Sequence, residues 1–144
     1  MVFSHDLIIT TFNSYKYLDN LYLFIFENFN KYSNILIIDD CSNDDFYQLL
    51  FLRTKEFKNI IIMKNDINLG PSASRNLGIK ISKADYISFH DPDDIVYKNR
   101  YDIINYFINK FRPKVLFHGF STKPLKKEIK NNNKYKIHYG FIYL

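Results

Sequence analysis

Three observations predict an α/β fold for this chain, a three-layer α/β/α sandwich around a mainly parallel sheet. Short β-branched runs alternate with stretches of helical periodicity, the pattern of successive strand–helix–strand units. At 144 residues, 47% of them hydrophobic and 24% charged, the chain has the length and composition of one soluble domain, since about 150 residues bury roughly 68–70% of the unfolded surface. A polar cluster follows each of the first four strand runs or the loop it feeds, as expected where ligands bind at the carboxyl edge of such a sheet. This composition excludes disorder, collagen and a coiled coil.

The first run, Leu7 to Thr11, is rich in β-branched residues and reads as a strand. Leu18, Leu21, Tyr22, Ile25 and Phe29 then recur at i, i+3, i+4, i+7 and i+11, one stripe of an amphipathic helix. Ile35 to Asp39 is the second strand. A second helix is expected from Asp44, with Phe46, Leu49 and Leu50 inward. Ile60 to Met63 is the third strand, and a third helix runs from Pro71, a favoured first helical residue, through Ile81. Tyr86 to His90 forms the fourth strand, which Pro92 ends. A fourth helix over Lys98 to Phe111 buries Ile103, Ile104, Phe107 and Ile108, and Val115 to Phe117 makes a fifth strand. Beyond Thr122 the signal fades into Lys/Asn-rich sequence with a final apolar patch from Tyr139 to Leu144, and no internal repeat is visible. The expected division is a domain over 1–122 and a basic tail over 123–144.

The net charge of +5 is unevenly spread: nine of the 20 Lys/Arg but one of the 15 Asp/Glu lie from residue 110 onward. A mildly acidic body with a basic end suits peripheral contact with an anionic membrane, or a merely solvated terminus, better than nucleic acid, because the candidate pocket itself is acidic. Cys41 is the single cysteine, so an internal disulfide is excluded. The apolar run Leu21 to Phe26 falls far short of the ~20 residues that span a bilayer. Met1 to Asp6 lacks the basic-then-apolar pattern of a secretory signal. The expected location is cytoplasmic, soluble or peripheral at the inner face of the membrane.

Four polar clusters carry the candidate chemistry. The first strand ends Thr10-Thr11-Phe12-Asn13, the second Asp39-Asp40-Cys41-Ser42-Asn43-Asp44. The third leads into Asn68-Leu69-Gly70-Pro71-Ser72-Ala73-Ser74-Arg75-Asn76-Leu77-Gly78, and the fourth ends His90-Asp91-Pro92-Asp93-Asp94. An Asp-x-Asp turn aims hard oxygen ligands at one point, suited to Mg²⁺ or Mn²⁺ whose shell substrate phosphates complete; alternatively Asp94 caps the following helix. Adjacent Asp39 and Asp40 repel each other unless donors or a ligand satisfy them; Asp40 can accept from a nucleobase N–H, and Asp44 can cap the second helix. The loop from Asn68 feeds a helix whose N-terminal amides attract anions, and Arg75 adds a forked cation suited to diphosphate or to an internal salt bridge. Neither a Walker A loop nor a dinucleotide Gly-x-Gly-x-x-Gly is present. His5, His90, His118 and His138 have no metal-ligand spacing; His90 is expected to line the site.

These clusters, in this order, resemble the family 2 glycosyltransferases of the GT-A, nucleotide-diphospho-sugar transferase, Rossmann-like fold, over roughly residues 6 to 120. The resemblance implies that Thr10, Phe12 and Asp40 surround uracil or an equivalent base, Phe12 standing where a Tyr is usual, and that Asn13 belongs to the same nucleotide-sugar site. Asp39 would lie on the ribose side, with Asn68 and Gly70 in the donor-binding loop. Arg75 would approach base or diphosphate, and Asp91 with Asp93 would hold ribose and a Mn²⁺ or Mg²⁺ ion, with Asp94 a substitute metal ligand. The implied partners are a nucleotide-diphosphate sugar, UDP-linked in the favoured reading, and an acceptor glycan or lipid-linked sugar, joined with inversion in surface glycan synthesis.

The catalytic base is not identifiable in the sequence. Inverting members use a carboxylate near the acceptor hydroxyl, whereas the acids past Asp94 are Asp102 and Glu128, the latter inside Lys126-Lys127-Glu128-Ile129-Lys130. Two readings therefore stand: a metal-dependent glycosyltransferase, or a truncated, non-catalytic nucleotide-sugar-binding or interaction module. A phosphoacceptor receiver domain fits less well, since it wants an acidic pair where Thr10 and Thr11 stand.

Overall fold

The computed structural model describes residues 3–96, 98–117, 136–138 and 141–143. The chain divides into two compact units, Met1–Asp94 and Ile95–Leu144.

The first unit is built on a four-stranded sheet of β1 (His5–Thr11), β2 (Ile35–Asp39), β3 (Ile60–Lys64) and β4 (Tyr86–His90), in the order β3-β2-β1-β4. All three pairings are parallel, with Leu7 opposite Ile35, Leu7 also opposite Ser88, and Ile35 opposite Ile60. β1 and β2, the interior strands, are buried throughout, as near-continuous apolar runs in a covered parallel sheet should be. At the edge, β3 alternates and leaves Ile61 and Met63 exposed, with Lys58 just before it and Lys64 as its last residue. Charged flanks of this kind guard an open strand edge.

Helices cover both faces. Ile8, Leu36 and Ile38 form one buried face, on which Leu77 and Ile81 of α3 (Pro71–Ile81) pack. Gly78 permits that approach: a Cβ there would lie 2.7 Å from Ile8 Cγ2. The opposite face carries Leu7, Ile9, Ile35 and Ile37, since successive side chains alternate. α1 (Leu18–Asn28) lies on that side, where Phe24 stacks on His90 of β4 at 4.0 Å between ring centroids. α2 (Asp44–Thr54) joins α1 through the Arg53–Asp19 ion pair and Arg53 over the Tyr22 ring. The buried stripe of α2 is Phe46, Leu50 and Thr54; Leu49, expected inward, is exposed because it sits on the rim of that i, i+4, i+8 row.

In the second unit, α4 (Arg100–Phe111) starts two residues later than its periodicity predicts and buries Ile104, Phe107 and Ile108, with Ile103 half-buried. Arg112, in the left-handed conformation, ends it. β5 (Val115–Phe117) does not extend the main sheet. It pairs in parallel with β7 (Phe141–Tyr143), which pairs antiparallel with β6 (Lys136–His138), a second sheet of order β5-β7-β6. His118, Glu128 and the 122/123 boundary lie outside the described residues. Among the described residues no helix is long and apolar enough to cross a membrane.

The close approach at Gly78 makes a test. Gly78→Val should destabilise the protein by about 2 kcal/mol or more through overpacking against the fully buried Ile8, read as a lower denaturant midpoint with an unchanged m-value. An unchanged midpoint would contradict this packing of α3 on β1.

Candidate functional site

With strand order β3-β2-β1-β4, the chain winds outward from β1 through β2 to β3 and then crosses to β4 on the other side of β1. The switch point of such a sheet lies between β1 and β4, and the crevice beyond its carboxyl ends is where ligands bind in open α/β folds. Thr10, Thr11, Phe12 and Asn13 close β1 there; His90, Asp91, Pro92, Asp93 and Asp94 close β4.

At the end of β2, Asp39 and Asp40 are both buried. Alternation sends them to opposite faces, and each meets its own donors. Asp39 Oδ1 accepts from Thr11 Oγ1 at 2.9 Å and Ser42 Oγ at 2.6 Å, and its Oδ2 accepts from the Ser42 amide at 3.0 Å. Asp40 Oδ1 accepts from Asn65 Nδ2 at 2.7 Å and the Leu69 amide at 2.9 Å, and Oδ2 from the Gly70 amide at 2.7 Å. Asn65 Nδ2 also donates to the buried Ser74 Oγ of α3. The repulsion expected between neighbouring carboxylates is thus answered from within the protein. Burial, the largest single influence on Asp40, raises its carboxyl, but the Leu69 and Gly70 amides with Asn65 and Ser74 outweigh it and hold the group below its ordinary value. The anion received by the amides leading into α3 is Asp40 itself. Neither Asn65 nor Ser74 stands out in the sequence, because their partner lies 25 to 34 residues earlier in the chain and only the fold brings them together.

The β1 loop is fastened to the same strand end. The Asp40 amide donates to Thr11 O at 2.8 Å and the Asn13 amide to Ser42 Oγ at 2.7 Å. Asn13, at a left-handed φ of 46°, accepts at Oδ1 from the Asn43 amide at 2.9 Å. Asn43, rather than Asp44, caps α2 by accepting from the Phe46 amide at 3.0 Å, and Tyr15 donates its hydroxyl to the same Asn43 oxygen. Asp44 instead pairs with Lys64. Between Thr11 and Asn13, Phe12 is 50% exposed. Thr10 is buried on the α3 side of β1, and Asn68 is exposed in the loop before Gly70, whose φ of 85° suits glycine.

Arg75 Nη2 sits between both oxygens of Asp91, at 2.6 and 2.8 Å, each partner about one-third exposed. The internal salt bridge anticipated as one option for Arg75 is formed. The Asp94 amide donates to Asp91 O at 3.0 Å, closing a turn with Pro92 in its first inner position, and Asp93 and Asp94 are exposed on it. Among the described residues no three His, Cys, Asp or Glu side chains converge as a metal cage. The donor set fits a hard divalent cation held by one or two carboxylates with phosphate oxygens completing its shell. His90 is buried under Phe24 at this end of β4. An open cavity of about 440 Å³ lined by Phe29, Tyr32, Phe57 and Asn59 lies at the amino ends of β2 and β3, away from this edge.

Asp40 gives a pH-dependent test. Because its folded pKa is depressed, the stability it contributes is fully present above the unfolded carboxylate value of about 3.9 and is lost as pH falls through the lower folded value. Asp40→Asn should cost about 1–3 kcal/mol near neutral pH by leaving an amide donor badly paired. That cost should shrink as pH falls below about 4. Urea melts across this range check it; a pH-independent difference between the two proteins would contradict the assignment.

The Glycosyl transferase family 2 model matches residues 6–139. An uncharacterized glycosyltransferase of Rickettsia felis is 43% identical over 74 residues, 51% of this chain and 12% of that protein. A poly(ribitol-phosphate) beta-glucosyltransferase of Bacillus spizizenii is 38% identical over 63 residues, 43% of this chain and 10% of the relative. The crystal structure of S. aureus TarS 1-349 in complex with UDP-GlcNAc superposes with a TM-score of 0.70 at 23% identity, covering 86% of this chain and 37% of that one. The likeness to TarS shows the GT-A type of fold, and the chain spans only about a tenth of the length of these two curated relatives. With the family match running through all four polar clusters, the chain belongs to glycosyl transferase family 2.

Proposed function

We propose that this chain binds the nucleotide-diphosphate sugar, with UDP as the favoured nucleotide, in a glycosyltransferase that passes the sugar to an acceptor hydroxyl with inversion. The observation that carries the reading is the placement of Phe12, Arg75, Asp91 and Asp93 around the β1/β4 switch point of a parallel sheet. Structural likeness to a TarS complex with UDP-GlcNAc supports a uridine nucleotide. Likeness to a poly(ribitol-phosphate) glucosyltransferase supports a surface glycan acceptor.

In this reading the exposed Phe12 ring stacks on the base, with Thr10 and Asn13 beside it. Asp39 and Asp40 hold the loops that shape the base and ribose pocket, and the Asn68–Gly70 segment lies along the donor. Arg75 neutralises diphosphate charge, exchanging its contact with Asp91 for phosphate oxygens. Asp91 is then released to the ribose and, with Asp93 or Asp94, to a Mn²⁺ or Mg²⁺ ion. Such an ion supplies Lewis acidity that stabilises the departing nucleoside diphosphate. Asp102 is exposed in the first turn of α4 and Glu128 stands among lysines. The sequence around neither marks it as a general base, so the reading assigns this chain the donor side of the reaction, and donor binding without turnover is its minimal form.

Titration calorimetry of the chain with UDP, UDP-sugars, GDP and CDP, with Mn²⁺ and then with chelator, tests the proposal. One uridine nucleotide should bind in a metal-dependent way, and Asp93→Asn should weaken that binding at least tenfold. Absence of binding to any nucleotide would overturn the donor-site reading, and unchanged affinity in Asp93→Asn would remove Asp93 from it.

A further inference from the structure

Phe12 is a large apolar ring, half in solvent, on a turn that closes a strand. Exposed aromatic residues on loops are ordinarily mobile, and ordering one on binding costs affinity. Here the residues on both sides of it are fixed. Thr11 is buried, donates its hydroxyl to Asp39 and receives the Asp40 amide at its carbonyl. Asn13 is held at its amide by Ser42 Oγ and at its side chain by the Asn43 amide.

One group links these anchors. Ser42 Oγ donates to Asp39 Oδ1 at 2.6 Å and accepts from the Asn13 amide at 2.7 Å, so a single buried hydroxyl connects the fully buried carboxylate of β2 to the backbone just past Phe12. Its own amide is fixed by Asp39 Oδ2. Replacing the hydroxyl by hydrogen leaves the Asn13 amide without its acceptor and Asp39 without its shortest donor, while nothing that faces the crevice is removed.

We propose that Ser42 is a positioning residue that holds the Phe12 ring as a pre-ordered stacking platform for the nucleotide base. The inference rests on the donor-site reading given above and adds to it a residue that acts without touching the ligand. Aromatic stacking on a base is sequence-tolerant and sensitive to ring placement, so a loosened turn lowers affinity without changing the ligand's polar contacts.

A double-mutant cycle read by calorimetry with UDP and Mn²⁺ separates this role from a general structural one. Ser42→Ala should weaken UDP binding roughly tenfold in the native background and less than twofold in Phe12→Ala, where no platform remains. Losses of equal fold in both backgrounds would overturn the proposal. A second readout needs no ligand: the chain has no Trp, so Phe12→Trp provides a single reporter. Its fluorescence anisotropy should fall when Ser42→Ala is added; an unchanged value would also overturn the role. Should Ser42→Ala fail to fold, Thr11→Val, which drops the Thr11–Asp39 hydrogen bond on the other side of Phe12, loosens the same turn and should give the same pattern. Failure of the native chain to bind any nucleotide sinks the donor-site reading and this proposal together, whereas native binding with equal-fold losses sinks only Ser42.

Discussion

Two adjacent carboxylates at the end of an interior strand organise the carboxyl edge of the sheet. A buried carboxylate is tolerated only when its charge is met by donors, and β2 meets this demand twice because alternation splits Asp39 and Asp40 between the two faces. Asp39 gathers the β1 loop and the start of α2 through Thr11 and Ser42. Asp40 gathers the loop before α3 through Leu69, Gly70 and Asn65. The opposite end is fastened on the same principle: Asp6, at the start of β1, accepts from the Asn34 amide and side chain and from Ser82 Oγ just past α3. The interior of the sheet is therefore apolar and its two ends are tied by carboxylates that reach across elements.

The candidate site inherits its geometry from these ties. Phe12 stands exposed between a buried Thr11 and an Asn13 whose amide and side chain are both tied down, and Arg75 projects from a helix whose entry is set by Asp40. The Arg75–Asp91 pair keeps cation and anion in register at the β4 end without a ligand, and its partial exposure leaves it open to exchange. The cavity near Phe29 and Phe57 sits at the amino ends of the strands, away from the switch-point crevice.

Much of the fold was legible from local pattern. β2, β4 and α3 begin and end where β-branched runs, Pro71 and the loss of periodicity place them, because these signals act over a few residues. The second sheet was not legible: β6 and β7 are three residues each within Lys-, Asn- and Tyr-rich sequence, too short for alternation to register, and β5 follows them out of the main sheet. In the candidate site, the clusters at Thr10–Asn13, Asp39–Asp44 and Asp91–Asp94 were visible as polar residues after apolar runs. Their partners were not. Asp40 reads in sequence as a ligand-facing carboxylate, and only the return of the chain at Asn65 and Leu69 shows its oxygens engaged. Ser42 reads as one polar residue among several until the left-handed Asn13 turns its amide toward it.

The most direct measurement is a backbone NMR titration of the labelled chain with UDP and a diamagnetic Mg²⁺ salt. Shifts should concentrate at residues 10–13, 39–43, 68–75 and 90–94, all at the carboxyl edge of the main sheet, while His5, Asn34 and Ser82 at the opposite end stay in place. Shifts confined to the Phe29–Asn59 cavity, or none at saturating UDP, would contradict a nucleotide site at the β1/β4 switch point.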